Sequence, residues 1–183
     1  MSKLFASRLL LTSDSDLLFY LEKHPSLYKL IGNGDHIVSY DKLEMIQTNF
    51  LNTGKYAIII NTLHSTSAPE ITGHWTVLLL EVTPQNRNCM YIDSLVNNYK
   101  NNNHLVNVIN QFCVKYKLKL HLWNTRTQRK NTSNCGFQII FYLYYFYKHG
   151  LKGMYKLQTM LQQYDLPTKE YYVLKKAYKL CKF

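Results

Sequence analysis

Cys135 is followed by Gly136 and then by Phe137 to Tyr147, eleven residues that are apolar or aromatic apart from Gln138. Small polar residues, Asn131 to Asn134, precede it, and Lys148, His149 and Gly150 close the run. This pattern predicts a helix with a polar N-cap, a body buried on every side, a basic last turn and an αL glycine cap. A cysteine in the first turn of such a helix faces unpaired N–H groups and the positive end of the macrodipole. Both favour the thiolate, which is the nucleophilic form. Thiolate-driven acyl transfer needs three further parts: an imidazole to carry the proton, an acid to orient it and donors for the oxyanion. The chain offers them in the order His74, Asp93, Gln128, Cys135. His74 is the candidate general base and acid, and Asp93 the group that fixes its tautomer. The Gln128 amide and the Cys135 N–H are the candidate oxyanion donors. Singly, each has an ordinary reading: an inert buried thiol, a hydrogen-bonded surface histidine, a turn-capping Asp before Ser94, a glutamine in a polar loop.

The elements that must position these residues follow from periodicity. Ser13 to Asp16 caps a short helix from Leu17 to Lys23 that Pro25 stops, and Ser26 to Leu30 adds a turn. Gly32-Asn33-Gly34 reads as a turn, and Lys42 to Phe50 as a short helix. Tyr56 to Asn61 is a continuous apolar run suited to a buried strand. His74 to Val82 and Cys89 to Ser94 read as two strands joined by a hairpin-like turn. Antiparallel pairing sets the start of one beside the end of the other, so His74 and Asp93 share one edge of the sheet. Leu95 to Asn103 is an Asn-rich loop. From His104 to Tyr116 the apolar set Leu105, Val108, Ile109, Phe112, Cys113 recurs at helical steps. Lys117 to Trp123 alternates, which predicts a half-exposed strand with Leu118, Leu120 and Leu122 inward. Beyond Gly150, Leu151 to Tyr164 and Lys169 to Leu180 read as two helices, the second started by Pro167.

Composition bounds the classes. With 46% hydrophobic residues and sixteen Tyr, 183 residues build one aromatic-rich domain, 1–183. No long apolar segment indicates a signal peptide or a membrane span, so neither secretion nor a membrane is expected. Cys89, Cys113, Cys135 and Cys181 show no pair or knuckle spacing, which points away from a disulfide framework or zinc and toward a reducing compartment. Residues 1–93 carry seven basic against nine acidic residues, whereas 94–183 carry fifteen against two. That half is a solvated basic surface or a non-specific, salt-sensitive site for a polyanion such as nucleic acid.

Three blocks occur in order: Gly73-His74-Trp75, Tyr91-Ile92-Asp93-Ser94-Leu95, and Asn134-Cys135-Gly136 with Gln128 seven residues ahead of the cysteine. Together they resemble the adenain-type cysteine proteases, the adenovirus protease family and its relatives in DNA viruses and virus-like elements. The blocks are also similar to those of the SUMO-specific (Ulp-type) proteases. The Gln-to-Cys spacing, with Tyr40-Asp41-Lys42 and Asn61-Thr62, favours the adenain side, and the likeness spans roughly residues 30 to 150. Two departures stand out. Adenovirus proteases commonly carry Glu where this chain has Asp93. Cys113, the nearest cysteine upstream of Gln128, differs in spacing from the cysteine through which that family takes a peptide activator.

The resemblance implies an α+β fold in which a mixed sheet packs against the buried helix that starts at Cys135. It implies a Cys-His-Asp thiol protease with a Gln oxyanion donor, cleaving after glycine, with Trp75 walling a narrow cleft; the bland alternative for Trp75 is a core aromatic. It further implies capsid and core precursors as substrates during virion maturation, action in the virion and infected cell, and chemistry without a metal or other cofactor. DNA or a viral peptide is the implied activator, and a monomer is expected. Two readings compete: a SUMO- or ubiquitin-like isopeptidase with the same chemistry, and a non-enzymatic basic nucleic-acid-binding core protein.

Overall fold

The computed structural model describes residues 14–46, 52–67, 73–95 and 103–181. In chain order the elements are α1 (Asp14–Glu22), α2 (Pro25–Leu30), β1 (Ile37–Ser39), β2 (Gly54–Asn61), β3 (Trp75–Val82), β4 (Arg87–Ile92), α3 (Asn103–Lys115), β5 (Lys119–Leu122), α4 (Cys135–Gln162) and α5 (Leu166–Cys181). The strands form one sheet in the order β1-β2-β3-β4-β5. The β2-β3 and β3-β4 pairs are antiparallel, and the two outer pairs, β1-β2 and β4-β5, are parallel. The class is therefore α+β with a mixed sheet, as expected.

Period-two alternation divides the strand side chains between two cores. Ala57, Ile59, Val77, Leu79, Met90 and Ile92 lie on one face with α4, through Phe137, Ile140 and Phe141. Ile58, Ile60, Leu78, Leu80 and Tyr91 lie on the other with Leu105, Ile109, Phe112 and Cys113 of α3. Burial on both faces explains why β2 and β3 read as continuous apolar runs. The Cys135 helix covers one of these faces, and α1, α2 and α5 close over it with Leu17, Leu21, Leu27, Leu30, Val173 and Ala177. No helix among the described residues is long and apolar enough to cross a membrane.

At Gly150 the expected αL cap is instead a bend. Its φ of 62° and ψ of −170° connect two helical segments directly, so α4 runs on to Gln162. Lys55 Nζ donates to the carbonyls of Phe146 and Tyr147, at 3.5 and 3.0 Å, where the first segment ends. The Glu81 carboxylate accepts from Leu151 N at 3.2 Å, where the second begins. Lys55 and Glu81 are register partners on β2 and β3. A cation at a helix C-terminus and an anion at an N-terminus are the stabilising signs.

Other expectations shift. The helix predicted over Lys42 to Phe50 is a 3-10 segment, Tyr40–Met45, and 47–51 lie outside the described residues. So do residues 68–72, between β2 and β3, and most of the Asn-rich loop (96–102). Leu118, just ahead of β5, is buried and Leu120 packs against the α3 core, but Leu122 is 39% exposed, because Leu120 is the last of the three that this core reaches. Cys89 and Cys113, unpaired by spacing, meet across the β4–α3 contact with sulfurs 3.4 Å apart as free thiols.

Candidate active site

β3 and β4 pair in the register Val77↔Ile92, which sets the start of β3 beside the end of β4. His74 and Asp93 occupy those two positions, and His74 Nε2 lies 2.7 Å from Asp93 Oδ1. Asp93 is 6% exposed, and its Oδ1 also accepts from Leu95 N at 2.9 Å. The main chain of His74 is held from the other side by Thr62. Thr62 N donates to the His74 carbonyl at 2.9 Å, and His74 N donates to Thr62 Oγ1 at 3.2 Å. Gly73 permits this approach, since a Cβ there would collide with the Asn61 amide. Loop position and ring orientation are therefore both fixed before any substrate arrives.

With Nε2 turned to Asp93, Nδ1 is the ring nitrogen left for the hydrogen bond between His74 and Cys135. Cys135 is the first residue of α4. Asn134 occupies the N-cap position, but its side chain makes no capping bond. Its Oδ1 accepts from Gln138 Nε2 at 2.9 Å, and its Nδ2 donates to Glu170 Oε1 at 3.1 Å. The first-turn N–H groups are thus not taken up by a cap side chain, and the Gly136 N–H reaches the Cys135 sulfur.

The electrostatics follow from these contacts. Burial opposes ionisation of Cys135, but the His74 hydrogen bond and charge, with the N–H groups of Trp75 and Gly136, outweigh it and hold the thiol below its usual range. Burial likewise opposes a charged His74, but hydrogen bonds with Asp93 and then Cys135 raise its pKa to about 9. Both shifts favour a thiolate–imidazolium pair. The other thiols move the opposite way. Cys89 is raised by its hydrogen bond to Cys113 and by burial, and Cys181 by burial to about 12.

Gln128, 2% exposed, is tied to the Asp93-Ser94 turn. The N–H groups of Thr127 and Gln128 donate to the Ser94 carbonyl at 2.9 and 3.0 Å. Ser94 Oγ donates to Gln128 Oε1 at 2.6 Å, and Gln128 Nε2 donates to the Thr132 carbonyl at 2.6 Å. The amide cannot flip without breaking both bonds, and one Nε2 hydrogen stays available for an oxyanion. Beneath it, Thr127 Oγ1 donates to Gln138 Oε1 at 2.7 Å and lies 2.6 Å from the Tyr142 hydroxyl. One turn thus serves two residues, His74 through Asp93 and Gln128 through Ser94.

Trp75, expected to wall a cleft, is 1% exposed in the core, and its Nε1 has no hydrogen-bond partner. Its contact with the site runs through its main-chain N–H to Cys135. Sequence reasoning missed Thr62, Ser94, Thr132, Asn134 and Glu170. Two signals were available: Ser94 stands inside the Asp-Ser-Leu block, and Glu170 is one of only two acids in 94–183. Among the described residues no three His, Cys, Asp or Glu side chains converge as metal ligands.

No protein-family model matches the sequence, and no curated protein matches it. Among solved structures the chain is similar to the ASFV pS273R protease, known from a selenomethionine crystal structure. Identity is 18% and the TM-score 0.46, over 86% of this chain and 69% of that one.

Proposed function

We propose that this protein is a thiol endopeptidase using Cys135, His74, Asp93 and Gln128. The observation that carries the reading is the hydrogen-bonded series Asp93–His74–Cys135 at a helix N-terminus, with the thiol shifted down and the imidazole up. In the reaction the Cys135 thiolate attacks the scissile carbonyl carbon. The oxyanion that forms takes hydrogen bonds from Gln128 Nε2 and the Cys135 N–H. The His74 imidazolium protonates the leaving amine, the C–N bond breaks and a thioester remains. Neutral His74 then removes a proton from water, hydroxide adds to the thioester, and the acid and free thiolate are released. Asp93 holds the ring so that Nδ1 serves the sulfur and supports its positive charge.

Cleavage after glycine, at Gly-Gly or Gly-X, in viral capsid and core precursors is the substrate proposed, within the virion and infected cell. It is supported by the ordered His-Trp, Asp-Ser-Leu and Gln…Cys-Gly blocks. The test is an electrophilic peptide ending in Gly-Gly, followed by mapping of the modified residue. Labelling at Cys135 alone, lost in His74→Ala and slowed in Gln128→Ala, is expected. Labelling spread over Cys89, Cys113 and Cys181 and indifferent to His74 overturns the proposal. Turnover of ubiquitin-like conjugates but of no capsid-derived peptide would move the substrate to folded modifiers and leave the chemistry unchanged.

A further inference from the structure

The segment from Gln128 to Cys135 bears the oxyanion amide at one end and the nucleophile at the other. Among the described residues, the side-chain and main-chain donors that meet Glu170 come from this segment. Glu170 sits on α5, forty-one residues beyond Arg129, and is 2% exposed. Its Oε1 accepts from Arg129 N at 3.1 Å and from Asn134 Nδ2 at 3.1 Å. The Thr132 hydroxyl lies 3.1 Å from the same oxygen and 2.8 Å from the Arg129 carbonyl, so its proton is shared. Oε2 accepts from Arg129 Nε. The carboxylate thus gathers positions 129, 132 and 134 around one centre, and two of them lead straight into the site. The Thr132 carbonyl takes the Gln128 amide proton at 2.6 Å. Asn134 precedes Cys135, and its engagement elsewhere keeps its side chain off the helix N-terminus.

We infer that Glu170 is a positioning residue for the oxyanion site: it clamps the 129–134 loop so that the Thr132 carbonyl orients the Gln128 amide. The inference rests on the protease reading above. It gives α5 a part in catalysis without contact with substrate. A carboxylate is needed because one oxygen serves three donors at once while the other meets a guanidinium. A glutamine amide has one such oxygen and turns an NH2 group toward Arg129 Nε.

The experiment compares wild type, Glu170→Gln, Gln128→Ala and the double variant in the full chain. It reads kcat and KM on a Gly-Gly peptide, together with the pH profile of Cys135 alkylation by iodoacetamide, a displacement at carbon that forms no oxyanion. For Glu170→Gln the expected loss is about 10- to 100-fold in kcat with KM and the alkylation profile unchanged. On the Gln128→Ala background it should cost nothing further. Thr132→Val, which keeps side-chain volume and removes one donor to Glu170, should show a smaller loss of the same kind and decides the matter should Glu170→Gln not fold. Wild-type kcat in Glu170→Gln, alkylation falling in parallel with kcat, or losses that multiply in the double variant would overturn the inference. Wild type that neither turns over peptide nor alkylates selectively at Cys135 fails the protease reading instead, so the two failures are distinguishable.

Discussion

His74 ties the ionisation of the site to two partners, and this fixes its pH dependence. Its raised pKa, about 9, comes from hydrogen bonds with Asp93 and Cys135 that overcome burial. In the proposed mechanism the imidazolium is the proton donor to the leaving amine, so activity is expected to fall as pH rises through that value. At the acid end it is lost as Cys135, held below the ordinary thiol range, becomes protonated. A bell-shaped kcat/KM profile is expected, with its alkaline limb near pH 9. Asp93→Asn removes the largest of the raising contacts, so its alkaline limb should move toward the ordinary histidine range near 6.5. A limb that stays in place under a full titration would separate Asp93 from the proton transfer. Ser94 makes a neighbouring prediction. Ser94→Ala leaves the buried Gln128 Oε1 without its 2.6 Å donor, a loss of roughly 1–3 kcal/mol for an unsatisfied buried acceptor. The amide then has less reason to keep Nε2 toward the oxyanion position. kcat should fall about tenfold, with thiol alkylation unaffected, as measured by steady-state kinetics beside iodoacetamide labelling.

At the scale of elements, local periodicity made most of the fold legible, because burial on one or two faces writes itself into the order of side chains. The alternating division of β2 and β3 between two cores, the α3 face and the helix start at Cys135 are all of this kind. The juxtaposition of His74 and Asp93 was legible too, since only a short turn separates the strands that carry them. What the chain does not encode locally is a contact between distant elements. Glu170 with Arg129, Cys89 with Cys113, and Lys55 with the end of the first α4 segment are set by packing, and no period announces them. Leu122 fails for a related reason: alternation assigns a face but not how far the neighbouring element covers it. Gly150 was legible as a break and not as a bend that continues. Its positive φ and the Glu81 carboxylate against it make it a place where a side chain is refused twice, by backbone and by space. Gly150→Ala should destabilise the protein by roughly 1–3 kcal/mol, read as a lower urea midpoint. The site lies at the far end of the first α4 segment, so activity per folded molecule should hold. A midpoint equal to wild type would show that the bend relaxes at no cost.

The whole molecule divides its charge unevenly, and the uneven half holds the site's own supports. Of the two acids in residues 94–183, Glu170 is consumed by Arg129 and its loop, and Asp165 accepts from Thr168 N at the start of α5. Few anions therefore remain to neutralise fifteen Lys and Arg in that half. Lys148, Lys175 and Lys176 lie over tyrosine rings of α4 and α5, contacts that hold their stems without cancelling their charge. A polyanion would meet this surface as a field and not through base readout, so its binding should be independent of sequence and steep in salt. Peptidase activity is expected to rise on adding duplex DNA at low ionic strength and to return to its basal rate as salt screens the contact. Replacing Lys175, Lys176 and Lys179 of α5 with Glu should weaken DNA binding and flatten the salt slope while basal turnover stays. That variant separates surface charge from catalysis, because none of the three makes a bond to the 128–135 loop in this structure. Activity that ignores DNA at low salt would leave the basic half as a solvated surface, with the thiol chemistry standing on the Asp93–His74–Cys135 series alone.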